Sequence, residues 1–126
     1  MTTSTRARKE FGASAERVAA LFLEQRGYQI LARNVRTRHG EIDLIAQQGA
    51  ELVFVEVKAR RGSAHGTPEE AVTPRKQLQL VKLAEAFLAE QDAFAGREWR
   101  IDVVAVELDR AGKVVRIELI KHAVQL

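Results

Sequence analysis

Apolar positions recur along this chain with two periods, and the switches between them predict its elements. From about Phe11 to Gln25 the spacing is helical: Phe11, Ala15, Val18 and Phe22 fall on one stripe, Ala19 and Leu23 widen it, and Gly27 stops it. Tyr28–Val35 reads as a strand with Tyr28, Ile30 and Ala32 on one face. Gly40–Arg61 (GEIDLIAQQGAELVFVEVKARR) reads as two strands joined by a turn, the second apolar on both faces until Phe54, as expected of an interior strand. Thr73-Pro74 combines a side-chain cap with proline at the first helical position. The helix it starts should run to about Gln91 and bury Leu80, Val81, Ala84, Phe87 and Leu88. Trp99–Leu108 and Lys113–Lys121 are two further strands around an Asp-Arg-Ala-Gly turn. The order α-β-β-β-α-β-β predicts an α/β domain with a central mixed five-stranded sheet flanked by helices, one domain over residues 1–126. Residues 1–9 are small, polar and basic and are expected to be flexible. Residues 61–73 hold two glycines and a proline without periodicity, which predicts a mobile loop.

The chemistry concentrates on the central hairpin. Alternation places Glu41, Asp43 and Ile45 on one side of the first strand, and Leu52, Phe54, Glu56 and Lys58 on one side of the second. If Gln47 faces Leu52, then Asp43 faces Glu56 and Glu41 faces Lys58. Two carboxylates about 5 Å apart repel by about 3 kcal/mol at an effective dielectric near 20, which a shared divalent cation would turn into coordination. The plainer alternative is a solvated hairpin face. Glu16 lies beside the apolar stripe of the first helix, as a rim carboxylate near the helix start would. Asp102 interrupts an apolar run and reads as structural, pairing with Arg100 or a nearby basic residue.

Composition narrows the classes. The chain is 46% apolar and 29% charged, typical of a globular protein. It has no cysteine, which excludes disulfides and thiolate metal sites and suits a reducing cytoplasm. MTTSTRARKEFG lacks the apolar core of a secretion signal, and no apolar run is long enough to span a bilayer, so no membrane partner and a cytoplasmic location are expected. There is no glycine-rich phosphate loop and no nucleophilic Ser or Cys arrangement. His39, His65 and His122 are scattered, which favours an oxygen-liganded Mg²⁺ or Mn²⁺ over zinc. Net charge is +3, and eight basic residues between Arg6 and Arg38 precede the acidic hairpin against three acids. Arg36, Arg38, Arg60, Arg61, Arg75, Lys76 and Lys82 are the candidates for a nucleic-acid backbone. Arg75, Gln79 and Lys82 share a helix face that could equally be an ordinary solvated stripe.

Asp43 followed by Glu56-Val57-Lys58, after a helix carrying Glu16 and before a second helix, resembles the PD-(D/E)XK nuclease superfamily, with Ile42 in place of the proline. The blocks FGASAERVAALFLEQRGYQILARN, HGEIDLIA, LVFVEVKAR, HGTPEEAVTPRK and RIDVVAV resemble the YraN family of small bacterial proteins over nearly the whole chain. The resemblance implies a restriction-endonuclease-like fold, akin to Holliday-junction resolvases. It implies a metal site of Asp43, Glu56, Glu16 and the Val57 carbonyl, with Lys58 orienting water or steadying phosphate charge; Glu41 is left without assigned chemistry, as a partner for Lys58 or a basic residue. The expected activity is Mg²⁺-dependent endonuclease cleavage of nucleic acid, DNA in preference to RNA, selected by shape (branched or single-stranded), with a homodimer left open. A non-catalytic nucleic-acid-binding module and a protein-interaction domain are the alternatives.

Overall fold

The structure is a computed structural model that describes residues 5–62, 66–67 and 69–124, with side chains described from Ser14 onward except that of Glu69. Helix α1 (Thr5–Glu24) is followed by strands β1 (Gln29–Thr37), β2 (Gly40–Gln48) and β3 (Glu51–Arg61). Helix α2 (Pro74–Glu90) then leads to β4 (Trp99–Leu108) and β5 (Val114–Ile120). The five strands form one sheet in chain order. Every neighbour is antiparallel except β3 and β4, which run parallel because α2 carries the chain back between them. The α-β-β-β-α-β-β order and the mixed five-stranded sheet are as the sequence predicts.

Each face of the sheet has its own core. Ala15, Ala19, Ala20 and Leu23 of α1 pack on Leu44, Ala46, Val53, Val55, Val104 and Val106. The three alanines let the helix axis lie close to the sheet. Leu80, Leu83, Ala84 and Phe87 of α2 cover Ile42, Ile45, Leu52, Phe54, Ile101 and Val103 on the other face. With helices on both sides, β3 and β4 carry near-continuous apolar runs, and Arg100 through Val106 are all buried.

Several boundaries differ from the sequence reading. Helix α1 begins at Thr5, well before Phe11. Residues 5–10 are mostly good helix formers without an apolar stripe, so periodicity alone misses them. Of the segment expected to be flexible, Thr5–Lys9 is thus helical, and residues 1–4 lie outside the described part. Within the expected loop, Glu69–Ala71 forms a 3₁₀ turn and Arg61 still belongs to β3, while residues 63–65 and 68 lie outside the described part. The basic turn after β1 shrinks to Arg38-His39, because Thr37 Oγ1 donates to Gly40 O at 3.0 Å and accepts from His39 N at 3.1 Å. The next hairpin turns on two residues, Gly49 (φ 59°) and Ala50, with the anticipated register of Gln47 opposite Leu52.

One irregularity bears on the site. Ala32 and Val35 both pack on the α2 side, and so do Ile42 and Ile45. Residues three apart cannot share a face in a regular strand. Alternation therefore breaks in β1 and β2 at facing positions, Asn34 and Asp43, which the flanking pairs Arg33–Leu44 and Val35–Ile42 place opposite each other. Asn34 takes the left-handed backbone (φ 51°) that asparagine tolerates better than most residues. The expectation that Glu41, Asp43 and Ile45 share one side is corrected by this break.

Candidate functional site

Strands β2 and β3 stay paired from Gln48–Glu51 to Leu44–Val55 and then part. The backbone N–H of Val57, left without a strand partner on that edge, donates instead to Asp43 Oδ2 at 2.8 Å. Asp43 thus sits in the cleft between the two strands rather than on either face. Its carboxyl group also interacts with those of Glu16 from α1 and Glu56 from β3. Glu16, Glu41 and Asp43 each offer a carboxylate oxygen within 4.8 Å of the others. Glu41 lies opposite the basic residue Arg36 across the β1–β2 ladder, and the β2–β3 ladder ends before it would bring Glu41 opposite Lys58.

The electrostatics follow from the crowding. Asp43 is pushed up to about 7, first by burial and then by the Glu56 and Glu16 charges, against the Val57 N–H that favours its ionised form. Glu16 is also raised, by burial and by Glu41, while hydrogen bonds from Asn34 and Asp43 and the Arg33 charge oppose the shift. Carboxyl groups can hydrogen-bond to one another only by sharing a proton, and it is Asp43, raised to about 7, that is best placed to keep one. All its donors are oxygens, which suits a hard divalent cation.

Glu56 has a cationic neighbour, and it is not the one two residues along the strand. Lys76 Nζ, from the first turn of α2, lies 2.5 Å from Glu56 Oε2. Lys58 is exposed and lines the same recess as Glu56, Lys76, Ala71, Val72, Leu80 and Val103. On the other side, Glu56 lines a recess with Glu41 and Asp43, floored by Phe54, Leu80 and Leu83.

Four of the remaining basic candidates line two separate grooves. Arg38 and Lys82 line one groove with His39 and Glu85. Arg60 and Arg61 line an open recess with Lys58 and Ala71, and Arg60 Nη1 donates to Gly66 O at 3.3 Å. Arg36 and Arg75 are exposed outside both grooves. Sequence reasoning missed Asn34, whose backbone kinks β1 opposite Asp43 and whose side chain bonds to Glu16. Its only signal was an asparagine inside a strand pattern. The Lys76–Glu56 contact was also missed, since nothing in the spacing ties the start of α2 to β3.

A kinked two-strand cleft that gathers Glu16, Glu41 and Asp43, with Glu56 shared between it and a recess lined by Lys58 and Lys76, defines a class of carboxylate-rich site on a mixed α/β sheet. Residues 15–106 match the profile of the uncharacterised protein family UPF0102. A UPF0102 protein of Moorella thermoacetica is 47% identical over 123 residues, covering 98% of this chain and 99% of that one. Another from Symbiobacterium thermophilum is 52% identical over 118 residues, covering 91% and 96%. The chain belongs to the UPF0102 family, the YraN family to which its sequence blocks pointed. Among solved structures it is similar to Pyrococcus furiosus SfsA in complex with Ca²⁺, at 16% identity and a TM-score of 0.38, over 94% of this chain and 65% of that one. No helix among the described residues is long and apolar enough to cross a membrane.

Proposed function

We propose that the protein is a metal-dependent endonuclease that hydrolyses phosphodiester bonds in nucleic acid, DNA in preference to RNA, and selects its substrate by shape. The observation that carries this reading is the convergence of Glu16, Glu41 and Asp43 oxygens within 4.8 Å, in a cleft where Asp43 also meets Glu56. A cluster that pushes its own members towards protonation is costly to the fold and is relieved by a divalent cation, Mg²⁺ or Mn²⁺. Asp43, Glu16 and Glu56 would hold it, with Glu41 as a further donor. Val57 would contribute its carbonyl, which leaves the strand on the same edge as the N–H bonded to Asp43. When bound, such an ion polarises a phosphate and lowers the pKa of a coordinated water.

The chain's own residues supply the rest. Lys58, exposed beside Glu56, offers a fixed positive charge to a phosphate that gains negative charge on the way to the transition state. The Arg38–Lys82 groove and the Lys58–Arg60–Arg61 recess would hold the backbone, with Arg36 and Arg75 as further exposed cations outside them. Phosphate contacts of this kind fix position without reading bases, hence the preference for shape. The test is incubation of purified protein with Mg²⁺ or Mn²⁺ and linear, flapped and branched DNA and RNA. Cleavage lost in Asp43→Asn supports the reading; no cleavage of any substrate, with Asp43→Asn indistinguishable in metal binding, removes it. A second reading, binding without cleavage, draws on the Lys76–Glu56 ion pair, which leaves the basic grooves intact while one acid is occupied. Salt-sensitive binding that survives Glu56→Gln, with no cleavage, would select it.

A further inference from the structure

If the acids hold a divalent cation, as proposed above, Lys76 meets that ion at Glu56. Glu56 is the only charged residue, among those described, that lines both the recess of Glu41 and Asp43 and the recess of Lys58 and Lys76. Its Oε2 lies 2.5 Å from Lys76 Nζ, with the two side chains 15% and 32% exposed. The position of Lys76 is set by the start of α2. Thr73 Oγ1 accepts from Lys76 N at 3.2 Å, and Pro74 fixes the first helical residue. The ammonium is therefore delivered to the cleft by a capped helix end, while its four-carbon stem leaves the charge free to swing.

One carboxylate cannot serve two cations at full strength. We propose that Lys76 competes with the divalent cation for Glu56. In the ion-free protein it compensates Glu56 and limits the repulsion on Asp43. When Glu56 turns to the ion, Lys76 is released into the recess that Lys58 also lines, so that two ammonium groups face an incoming phosphate.

The test is a calorimetric Mn²⁺ titration of the full chain as wild type, Lys76→Met, Lys76→Arg and Asp43→Asn, with folding of each checked by circular dichroism. Lys76→Met should bind Mn²⁺ about five- to tenfold more tightly, because Glu56 loses the ammonium that competes with the ion for it. Lys76→Arg should stay within about twofold of wild type, since the competing charge is retained. A purely structural role predicts the opposite sign, weaker binding after Lys76→Met. Unchanged or weaker binding in folded Lys76→Met overturns the proposal; Lys76→Gln replaces it if the methionine variant does not fold. Should wild type bind Mn²⁺ and Asp43→Asn lose it while Lys76→Met is unaltered, this inference alone falls. Should wild type bind no Mn²⁺, the metal-dependent reading falls with it.

Discussion

Asp102 and Asp43 lie in the same sheet, with only β3 between their strands, and live in opposite surroundings. Asp102 on β4 has no exposed surface at all. It accepts from Tyr28 Oη at 2.9 Å, Arg100 Nε at 3.0 Å, Arg100 Nη2 at 3.2 Å and His122 N at 3.0 Å. Arg100 in turn reaches Glu51 at 2.6 Å and Gln48 at 2.5 Å. Tyr28 is pushed up to about 12 by burial and by the Asp102 charge, so it stays a donor throughout the physiological range. Asp43 on β2 is half-buried, receives one backbone N–H and otherwise meets acids. A carboxylate that the fold keeps for its own integrity is surrounded by donors. One placed among like charges is useful to the fold only when something else arrives.

The largest effect should come from attacking the satisfied region. Arg100→Met leaves Asp102 charged and buried without its main partner and should cost about 3–5 kcal/mol in urea unfolding. A loss below about 1 kcal/mol would mean that the two aspartates differ less than their contacts suggest. In the unsatisfied region the sign reverses. Asp43 is raised from 3.8 to about 7, so between those values the folded chain keeps a proton that the unfolded chain has released. Its contribution to stability is therefore greatest below the ordinary aspartate range and is lost as pH rises through about 7. Without divalent ions, Asp43→Asn should be more stable than wild type by about 2 kcal/mol near pH ~8, with the gap closing towards pH ~4. Thermal melts across that range, with and without Mn²⁺, check it; saturating Mn²⁺ should restore the advantage to wild type.

Thr73→Ala removes the cap on α2 and should cost about 1 kcal/mol of stability. It touches neither aspartate, so it calibrates the two larger effects. The smallest change in stability, within about 0.5 kcal/mol, is expected for Arg38→Ala and Lys82→Ala. Each should still lower the salt dependence of nucleic-acid binding by about one counterion, measured by fluorescence anisotropy over a salt series.

Much of this was legible in the sequence, for stated reasons. The two helices, the strand order and the Gln47–Leu52 register follow from apolar period and turn residues, because burial selects those patterns directly. The pairing of Asp102 with Arg100 was legible too: an aspartate inside an apolar run must find a donor, and residues two apart share a strand face. That Glu41 would lie opposite Arg36 and not Lys58 was not, because spacing does not show that β2 and β3 part after Leu44–Val55. Lys76 was legible as a cation but not as a partner of Glu56, since sequence distance does not say where a crossover helix returns to the sheet. Composition marked the basic residues without dividing them between two grooves.

The matched kinks in β1 and β2 make that hairpin an all-or-nothing unit. Straightening Asn34 alone would turn Val35 outward while Ile42 still pointed in, and straightening Asp43 alone would do the reverse. The first change would also take the Asn34 amide away from Glu16, and the second would take the Asp43 carboxyl group away from it. The distortion that gathers the charges is thereby locked by the oily packing beneath α2, so a variant could regularise this part of the sheet only by altering both strands in step.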